Sequence, residues 1–179
     1  MTQVRQFPEV PELVSRTYIG LRYAFDCIHA NWNELRGTLS HGYPNCHTIA
    51  RAIARRFEHL RVVDGFIPFI CKPSKEYDGP KQMLVTELGG KISMSPVVSD
   101  HKEHSWLEFC EHPGFIIDTA PIGALPVVSS PILIFRDQWA FPYIEEVLPG
   151  SSLENIREED VRGFADLLRR AVLHQRELT

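Results

Sequence analysis

Residues 42–53 read Gly-Tyr-Pro-Asn-Cys-His-Thr-Ile-Ala-Arg-Ala-Ile, and they place a cysteine at the start of a predicted helix. Asn45 is a favourable N-cap, because its side-chain oxygen can accept a free backbone N–H of the first turn. We predict a helix over about residues 46–59, in which Cys46 points to the buried side. The apolar residues that define this side are Ile49, Ala50, Ile53, Ala54 and Phe57.

Two downstream segments have the composition of paired strands. Residues 104–109 read His-Ser-Trp-Leu-Glu-Phe, and residues 114–119 read Gly-Phe-Ile-Ile-Asp-Thr. In an antiparallel pair, opposed residues share a face and their numbers have a constant sum. An even sum, such as 222, puts His104 directly opposite Asp118 and needs a loop with an odd number of residues. An odd sum puts Asp118 on the wrong face.

Cys46, His104 and Asp118 are the three candidate catalytic residues. They occur in the order of a thiol nucleophile, its base and the carboxylate that orients the base. The positive end of a helix dipole at Cys46 favours the thiolate, and the backbone N–H groups there can stabilise an oxyanion. Further candidates for contacts to the oxyanion or the substrate are Tyr43, Asn45 and Trp106.

The remaining patterns predict an α+β fold in one domain over residues 1–179. Its helical N-terminal part covers about 8–60 and its sheet part about 61–150, and a C-terminal helix spans about 156–176. A long helix is predicted over 11–35. Strands are predicted over 61–71, 82–88, 91–98, 104–110, 114–119 and 131–136. Pro68 indicates an edge or a bulge in the first strand, and Asn155 with Glu158 has capping-box spacing.

The net charge and the apolar content of the chain argue against two classes of partner, nucleic acids and membranes. The net charge is −4 over 179 residues, so no basic surface favours nucleic acid. No segment approaches the roughly 20 apolar residues of a membrane helix, and the N-terminus lacks the apolar core of a signal peptide. We therefore expect a cytoplasmic protein that binds neither nucleic acid nor membrane. The four cysteines, which have no tight pairwise spacing and are expected to be free thiols, are Cys27, Cys46, Cys71 and Cys110.

The motifs over about residues 40–122 resemble the transglutaminase-like branch of the papain-like cysteine protease superfamily. A Cys at a helix start is followed by His-Ser-Trp-x-Glu and then by Phe-Ile-Ile-Asp-Thr-Ala-Pro. The resemblance implies a helix bearing Cys46 packed on an antiparallel sheet that bears His104 and Asp118. The chain departs from the family at Ser105, where Ala is commoner, and at His47, which replaces the usual Trp.

By this resemblance the protein is a cysteine hydrolase, either a peptidase or an amidase, or a transglutaminase-like acyltransferase. It would act on a peptide, a protein or a small amide through a thioester intermediate, without a cofactor. The superfamily includes peptidases, transglutaminases, amidases and acetyltransferases, so the resemblance does not name a substrate. The oligomeric state also stays open.

Two alternatives remain. One is a non-catalytic binding or scaffold protein with the same fold, since a fold does not fix a function. The other is a metal site, because zinc accepts both Cys and His ligands. The absence of Cys-x-x-Cys and His-Glu-x-x-His motifs disfavours a metal. The residues it would draw on are His101, His104, Cys110, His112, Cys46 and His47.

Overall fold

The computed structural model describes residues 9–35, 37, 39, 44–73, 82–85, 91–119, 131–138, 143–148 and 153–178. Within these ranges the chain is α+β, with four helices and an antiparallel sheet of six strands. The helices are α1 (Glu12–Ala30), α2 (Trp32–Leu35), α3 (Cys46–Ala54) and α4 (Glu158–Leu178). The strands are β1 (Leu60–Pro73), β2 (Gln82–Val85), β3 (Lys91–Phe109), β4 (Phe115–Asp118), β5 (Ile132–Phe135) and β6 (Ile144–Glu145).

The predicted first helix divides into α1 and α2. The Asn31 side chain donates to the carbonyl oxygen of Cys27 at 2.9 Å, and its backbone N–H bonds to the same oxygen. A side chain that competes for a helical carbonyl favours termination, so α1 ends there instead of at residue 35. Among the apolar residues that α1 buries are Val14, Tyr18, Leu21, Phe25 and Ile28.

The start of α3 agrees with the sequence, whereas two other helix ends do not. Asn45 caps α3 by accepting a hydrogen bond from the backbone N–H of Thr48 at 3.0 Å. The helix ends at Ala54 instead of 59 because the chain then turns towards β1. The carbonyl of Arg157 accepts the first hydrogen bonds of α4, which begins at Glu158. Helix α4 therefore starts two residues later than predicted, and Asn155 is not its N-cap.

The long pair of β1 and β3 forms the middle of the sheet, whose order is β5-β4-β3-β1-β6, with β2 also paired to β3. The register of this pair shifts between Ile67 and Phe69, so the bulge predicted at Pro68 is confirmed. The two strands predicted over 91–98 and 104–110 are one strand of 19 residues. The polar residues between them indicated a break, but pairing with β1 carries the strand through it.

The register of β3 with β4 settles the hairpin prediction. Leu107 faces Ile117 and Glu108 faces Ile116, so the sum is even, and the connecting loop over 110–114 has an odd number of residues. Continued by one residue beyond Leu107 and Ile117, this register places Asp118 opposite Trp106. His104 is therefore a diagonal neighbour of Asp118 on the same face, and the expected direct opposition is wrong.

The main core lies between the helices and the sheet. One contiguous cluster of buried apolar residues joins α1, α3 and α4 to β1, β3, β4 and β5. The rings of Phe25 and Phe164 meet edge to face at 5.8 Å and link α1 to α4. The strand predicted over 131–136 is β5 (Ile132–Phe135). Across the described ranges, the chain has no helix with the length and apolar content needed to cross a membrane.

Candidate active site

The nucleophile candidate stands at the first residue of α3. Cys46 is half-buried, and it is followed by residues that face the core. The N–H groups of a first helical turn have no acceptor within the helix, so those nearest Cys46 are suited to hold an oxyanion. The Asn45 side-chain oxygen is used for the cap. Tyr43, another predicted oxyanion or substrate contact, lies outside the described residues.

His104 and Asp118 form a buried pair across the β3–β4 hairpin. The Nε2 atom of His104 donates to Oδ2 of Asp118 at 2.9 Å, and both side chains are fully buried. The hydroxyl of Tyr143 donates to the same oxygen at 2.8 Å. A carboxylate that holds Nε2–H fixes the tautomer of the ring and leaves Nδ1 for the thiol.

The structure brings the Cys46 thiol next to this imidazole. Burial raises the pKa of the thiol, but hydrogen bonds to His104 and His47 and the charges of both rings lower that pKa to about 6. The Nδ1 atom of His104 is buried and makes no well-aligned hydrogen bond within the described part of the chain. Catalytic hydrogen bonds are often long or poorly aligned before a substrate tightens them.

The pKa of the His104 imidazole shifts upward, opposite to the pKa of the Cys46 thiol. Burial lowers the pKa of its imidazole, but the charge and hydrogen bond of Asp118, together with the Cys46 thiolate, raise it to about 10. Between these two pKa values, the favoured state is a thiolate beside an imidazolium. This ion pair makes the thiol nucleophilic at neutral pH.

Comparison with protein-family models, with curated proteins and with solved structures finds no match. The geometry and electrostatics of the site are therefore the basis on which a function can be assigned.

On the sheet, Trp106 packs against the His104 imidazole and is itself held by a hydrogen-bonded carboxylate, Glu108. The ring of Trp106 stacks on that of His104, with centroids 6.3 Å apart, and its indole N–H donates to Glu108 at 3.0 Å. Glu108 also accepts hydrogen bonds from Arg61, at 2.7 Å, and from Arg136. The only hydrogen-bond donor of Trp106 is therefore occupied by Glu108, and its ring packs against His104. Its contact to the oxyanion or the substrate stays a prediction.

A second polar chain approaches the thiol through His47. Its Nδ1 atom lies 2.6 Å from the hydroxyl oxygen of Ser105, and that hydroxyl donates to Asp64. Arg51 pairs with Asp64 at 2.7 Å and also donates to the carbonyl oxygen of His47 at 3.1 Å. His47 is therefore anchored through both its ring and its backbone.

The residues considered as metal ligands do not form a metal-binding group in the described part of the chain. Within the described ranges, no group of three or more His, Cys, Asp or Glu residues is placed to hold a metal ion. Cys110 is exposed in the loop after β3, whereas Cys46 is half-buried at α3. Three of the predicted free thiols, Cys27, Cys46 and Cys110, are free.

Sequence reasoning did not assign a role to several residues of this site. Tyr143 comes from a segment after β5, and no pattern in the sequence links it to Asp118. The pairing of Asp64 with Ser105 depends on the β1–β3 register, which the sequence does not specify. The one available signal was His47, which replaces the Trp usual in the family that the chain resembles.

Proposed function

We propose that this protein is a cysteine hydrolase or acyltransferase that acts on amide or peptide bonds through Cys46, His104 and Asp118. The observation that carries the proposal is the buried chain from Asp118 through His104 to a thiol whose pKa is near 6. The order of these residues and their positions on α3, β3 and β4 also support a papain-like or transglutaminase-like core. The substrate would be a peptide, a protein or a small amide.

The acylation step follows from the charges of the resting site. The Cys46 thiolate attacks the carbonyl carbon, forming an S–C bond, and the carbonyl oxygen gains negative charge near the first turn of α3. The C–N bond then breaks, and the proton of the His104 imidazolium goes to the leaving amine. The products of this step are a Cys46 thioester, a free amine and a neutral imidazole.

The second step restores the ion pair. Neutral His104 takes a proton from water or an acceptor amine as that group attacks the thioester carbon. The C–S bond breaks, so the acyl group leaves as an acid or a new amide and the thiolate returns. Asp118 keeps its hydrogen bond to Nε2 in both steps and holds the imidazole in the orientation that faces the thiol.

Trapping of the acyl-enzyme tests this proposal directly. The protein would be mixed with a panel of activated amides and p-nitrophenyl esters, and intact-mass and peptide mass spectrometry would locate any acyl group. We expect a thioester on Cys46 and turnover that Cys46→Ala abolishes. Cys110→Ala is the matched control, since Cys110 is a free thiol in an exposed loop. It should leave acylation unchanged.

Residue-resolved alkylation gives a second measurement that needs no substrate. At pH 6.5, Cys46 should react with iodoacetamide at least tenfold faster than Cys27 or Cys110, because the pKa of the Cys46 thiol is lowered to about 6. If Cys46 reacts no faster than the other thiols and forms no thioester, the enzymatic proposal is wrong. A non-catalytic binding protein then becomes the better interpretation.

A further inference from the structure

We propose that the hydroxyl of Tyr143 is a positioning group for the acid–base pair of His104 and Asp118. It fixes the Asp118 carboxylate and limits how strongly that carboxylate stabilises the charge of the imidazolium. This inference rests on the proposed function, because it concerns the proton that His104 gives to the leaving amine. It adds a fourth side chain to the site, one that acts through Asp118 and not on the substrate.

Two hydrogen-bond donors share one oxygen of the buried carboxylate. The Nε2 atom of His104 lies 2.9 Å from Oδ2 of Asp118, and the hydroxyl oxygen of Tyr143 lies 2.8 Å from the same atom. The side chains of His104 and Asp118 are fully buried, and Tyr143 is 8% exposed. Both donors are therefore shielded from water, and they divide the charge of a single oxygen between them.

The phenol approaches the carboxylate from a different part of the sheet than the imidazole does. His104 lies on β3 and Asp118 on the neighbouring strand β4, whereas Tyr143 comes directly before β6, which pairs with β1. The terminal torsion of an aspartate has broad minima, so a single hydrogen bond leaves the carboxylate free to rotate. Two donors that arrive from separate elements fix its orientation.

The ring of Tyr143 is held by packing that does not involve its hydroxyl. It meets the Trp106 ring edge to face, with centroids 5.0 Å apart, and Trp106 stacks on His104. The next residue, Ile144, pairs with Phe66 on β1. A phenylalanine at position 143 can keep these contacts and lacks only the donor. Tyr143→Phe therefore isolates the hydrogen bond to Asp118.

The consequence for catalysis follows from the charge at Oδ2. An undivided negative charge there would stabilise the His104 imidazolium more strongly and would oppose the loss of its Nδ1 proton. A hydrogen bond from the phenol polarises the carboxylate and withdraws part of that charge. In acylation the Nδ1–H bond of His104 breaks and an N–H bond to the leaving amine forms, while Nε2–H stays on the ring. The Tyr143 hydroxyl thus helps His104 to release this proton.

The test compares three reactions of Cys46 that differ in their need for the His104 proton. Acylation by an amide needs it, because the amine leaves in its protonated form. Acylation by a p-nitrophenyl ester does not, because p-nitrophenolate leaves as an anion, and alkylation by iodoacetamide needs only the thiolate. Tyr143→Phe should slow amide acylation about tenfold and change the other two rates by less than about twofold.

Tyr18→Phe is the matched control, because it removes the hydroxyl of another buried tyrosine, on α1. This hydroxyl accepts a hydrogen bond from Arg22 at 3.4 Å, and its loss should leave all three rates unchanged. Far-UV circular dichroism and urea denaturation verify that each variant folds. A ring-fluorinated tyrosine at position 143 keeps the shape of the residue and is a stronger donor, so it should speed amide acylation by about twofold.

Proton NMR provides a signature of the shared oxygen that needs no substrate. The Nε2–H proton of His104 is protected from exchange by burial, and its resonance moves downfield as its hydrogen bond strengthens. Tyr143→Phe leaves Oδ2 of Asp118 to this proton alone, so the resonance should move downfield. The fluorinated tyrosine should move it upfield. Simple loosening of the site by Tyr143→Phe would instead weaken this hydrogen bond and move the resonance upfield.

Several results would overturn this inference while the enzymatic proposal stands. They are unchanged amide acylation in Tyr143→Phe, equal slowing of all three reactions, or an Nε2–H resonance that stays in place or moves upfield. Equal slowing would assign Tyr143 a structural role only. If the wild-type protein forms no thioester on Cys46, the proposed function fails and this inference fails with it. That result is read on the wild type alone, so the two failures are distinguishable.

Discussion

The ion pair between Cys46 and His104 sets the pH range in which the site can turn over an amide. Below about pH 6 the proton returns to the sulfur, and above about pH 10 the imidazolium is lost. Acylation needs both the thiolate and the acid that protonates the leaving amine. We therefore expect kcat/KM to follow a bell with limbs near these two values, falling about tenfold per pH unit outside them.

Alkylation of Cys46 supplies the matched comparison for this profile. Iodoacetamide reacts with the thiolate and needs no proton from His104. Its rate should rise through the same acidic limb near pH 6 but should not fall on the basic side. An amide profile without a basic limb would show that His104 is not the acid of the reaction. Coincident basic limbs in both profiles would point instead to unfolding.

At the scale of a single element, the cap of α3 keeps the thiol at the positive end of the helix. Asn45→Ala removes the hydrogen bond to the Thr48 N–H, which lies 3.0 Å from the Asn45 oxygen. We expect a loss of about 1 kcal/mol of unfolding free energy, typical of a lost N-cap. Fraying of the first turn should also slow alkylation of Cys46 at pH 6.5 severalfold.

Asn45→Ser is the control for this prediction, because serine can cap without adding charge. It should recover most of the stability, measured by urea denaturation, and most of the thiol reactivity. If Asn45→Ala is as stable and as reactive as the wild type, the cap does not hold the nucleophile in place.

A second feature at the scale of one element is the buried carboxylate of Glu108 on strand β3. It is 2% exposed and accepts hydrogen bonds from Trp106, Arg61 and Arg136. Glu108→Gln leaves these donors without a buried anion, and we expect a loss of about 2–4 kcal/mol of unfolding free energy. The loss is moderated because both arginines are partly exposed, with Arg61 at 47% and Arg136 at 39%.

Glu145→Gln is the matched control for Glu108, because it removes the other carboxylate that binds Arg61. The side chain of Glu145 is 61% exposed, so this change should cost less than about 1 kcal/mol. Denaturation in urea at pH 7 measures both variants. Equal losses from the two substitutions would contradict the buried role assigned to Glu108.

The elements that local signals define were predictable, and those that depend on distant pairing were not. Asn45 caps α3 as its sequence predicts. The sequence left two registers open for the hairpin, and the observed even register puts His104 and Asp118 on one face. Strand β3 was split in two because the polar residues between its halves hide a continuous pairing with β1. Tyr143 reaches Asp118 from the position just before β6, a contact for which local sequence holds no signal.

At the scale of the whole molecule, Gly65 lies where β1, β3 and β6 approach one another closely. It faces His104 on β3 and Glu145 on β6 in the register of the sheet. A Cβ atom at this position would overlap the carbonyl oxygen of Ile144 and would come within 2.9 Å of the Trp106 ring. The absence of a side chain thus lets β6 bring Tyr143 to Asp118 while Trp106 stacks on His104.

Gly65→Ala should therefore disturb the fold and the site together. The obstructing Ile144 atoms are backbone, so β6 must move, and we expect a loss of roughly 3 kcal/mol of unfolding free energy, as in an overpacked core. The displacement should also slow Cys46 alkylation at pH 6.5, through Tyr143 and Trp106. Gly20→Ala is the control, since nothing lies within 4 Å of its added Cβ inside α1, and it should stabilise the protein by about 0.5–1 kcal/mol. Urea denaturation and alkylation measure both variants, and a Gly65→Ala protein with wild-type stability would show that the close approach of β6 is not required.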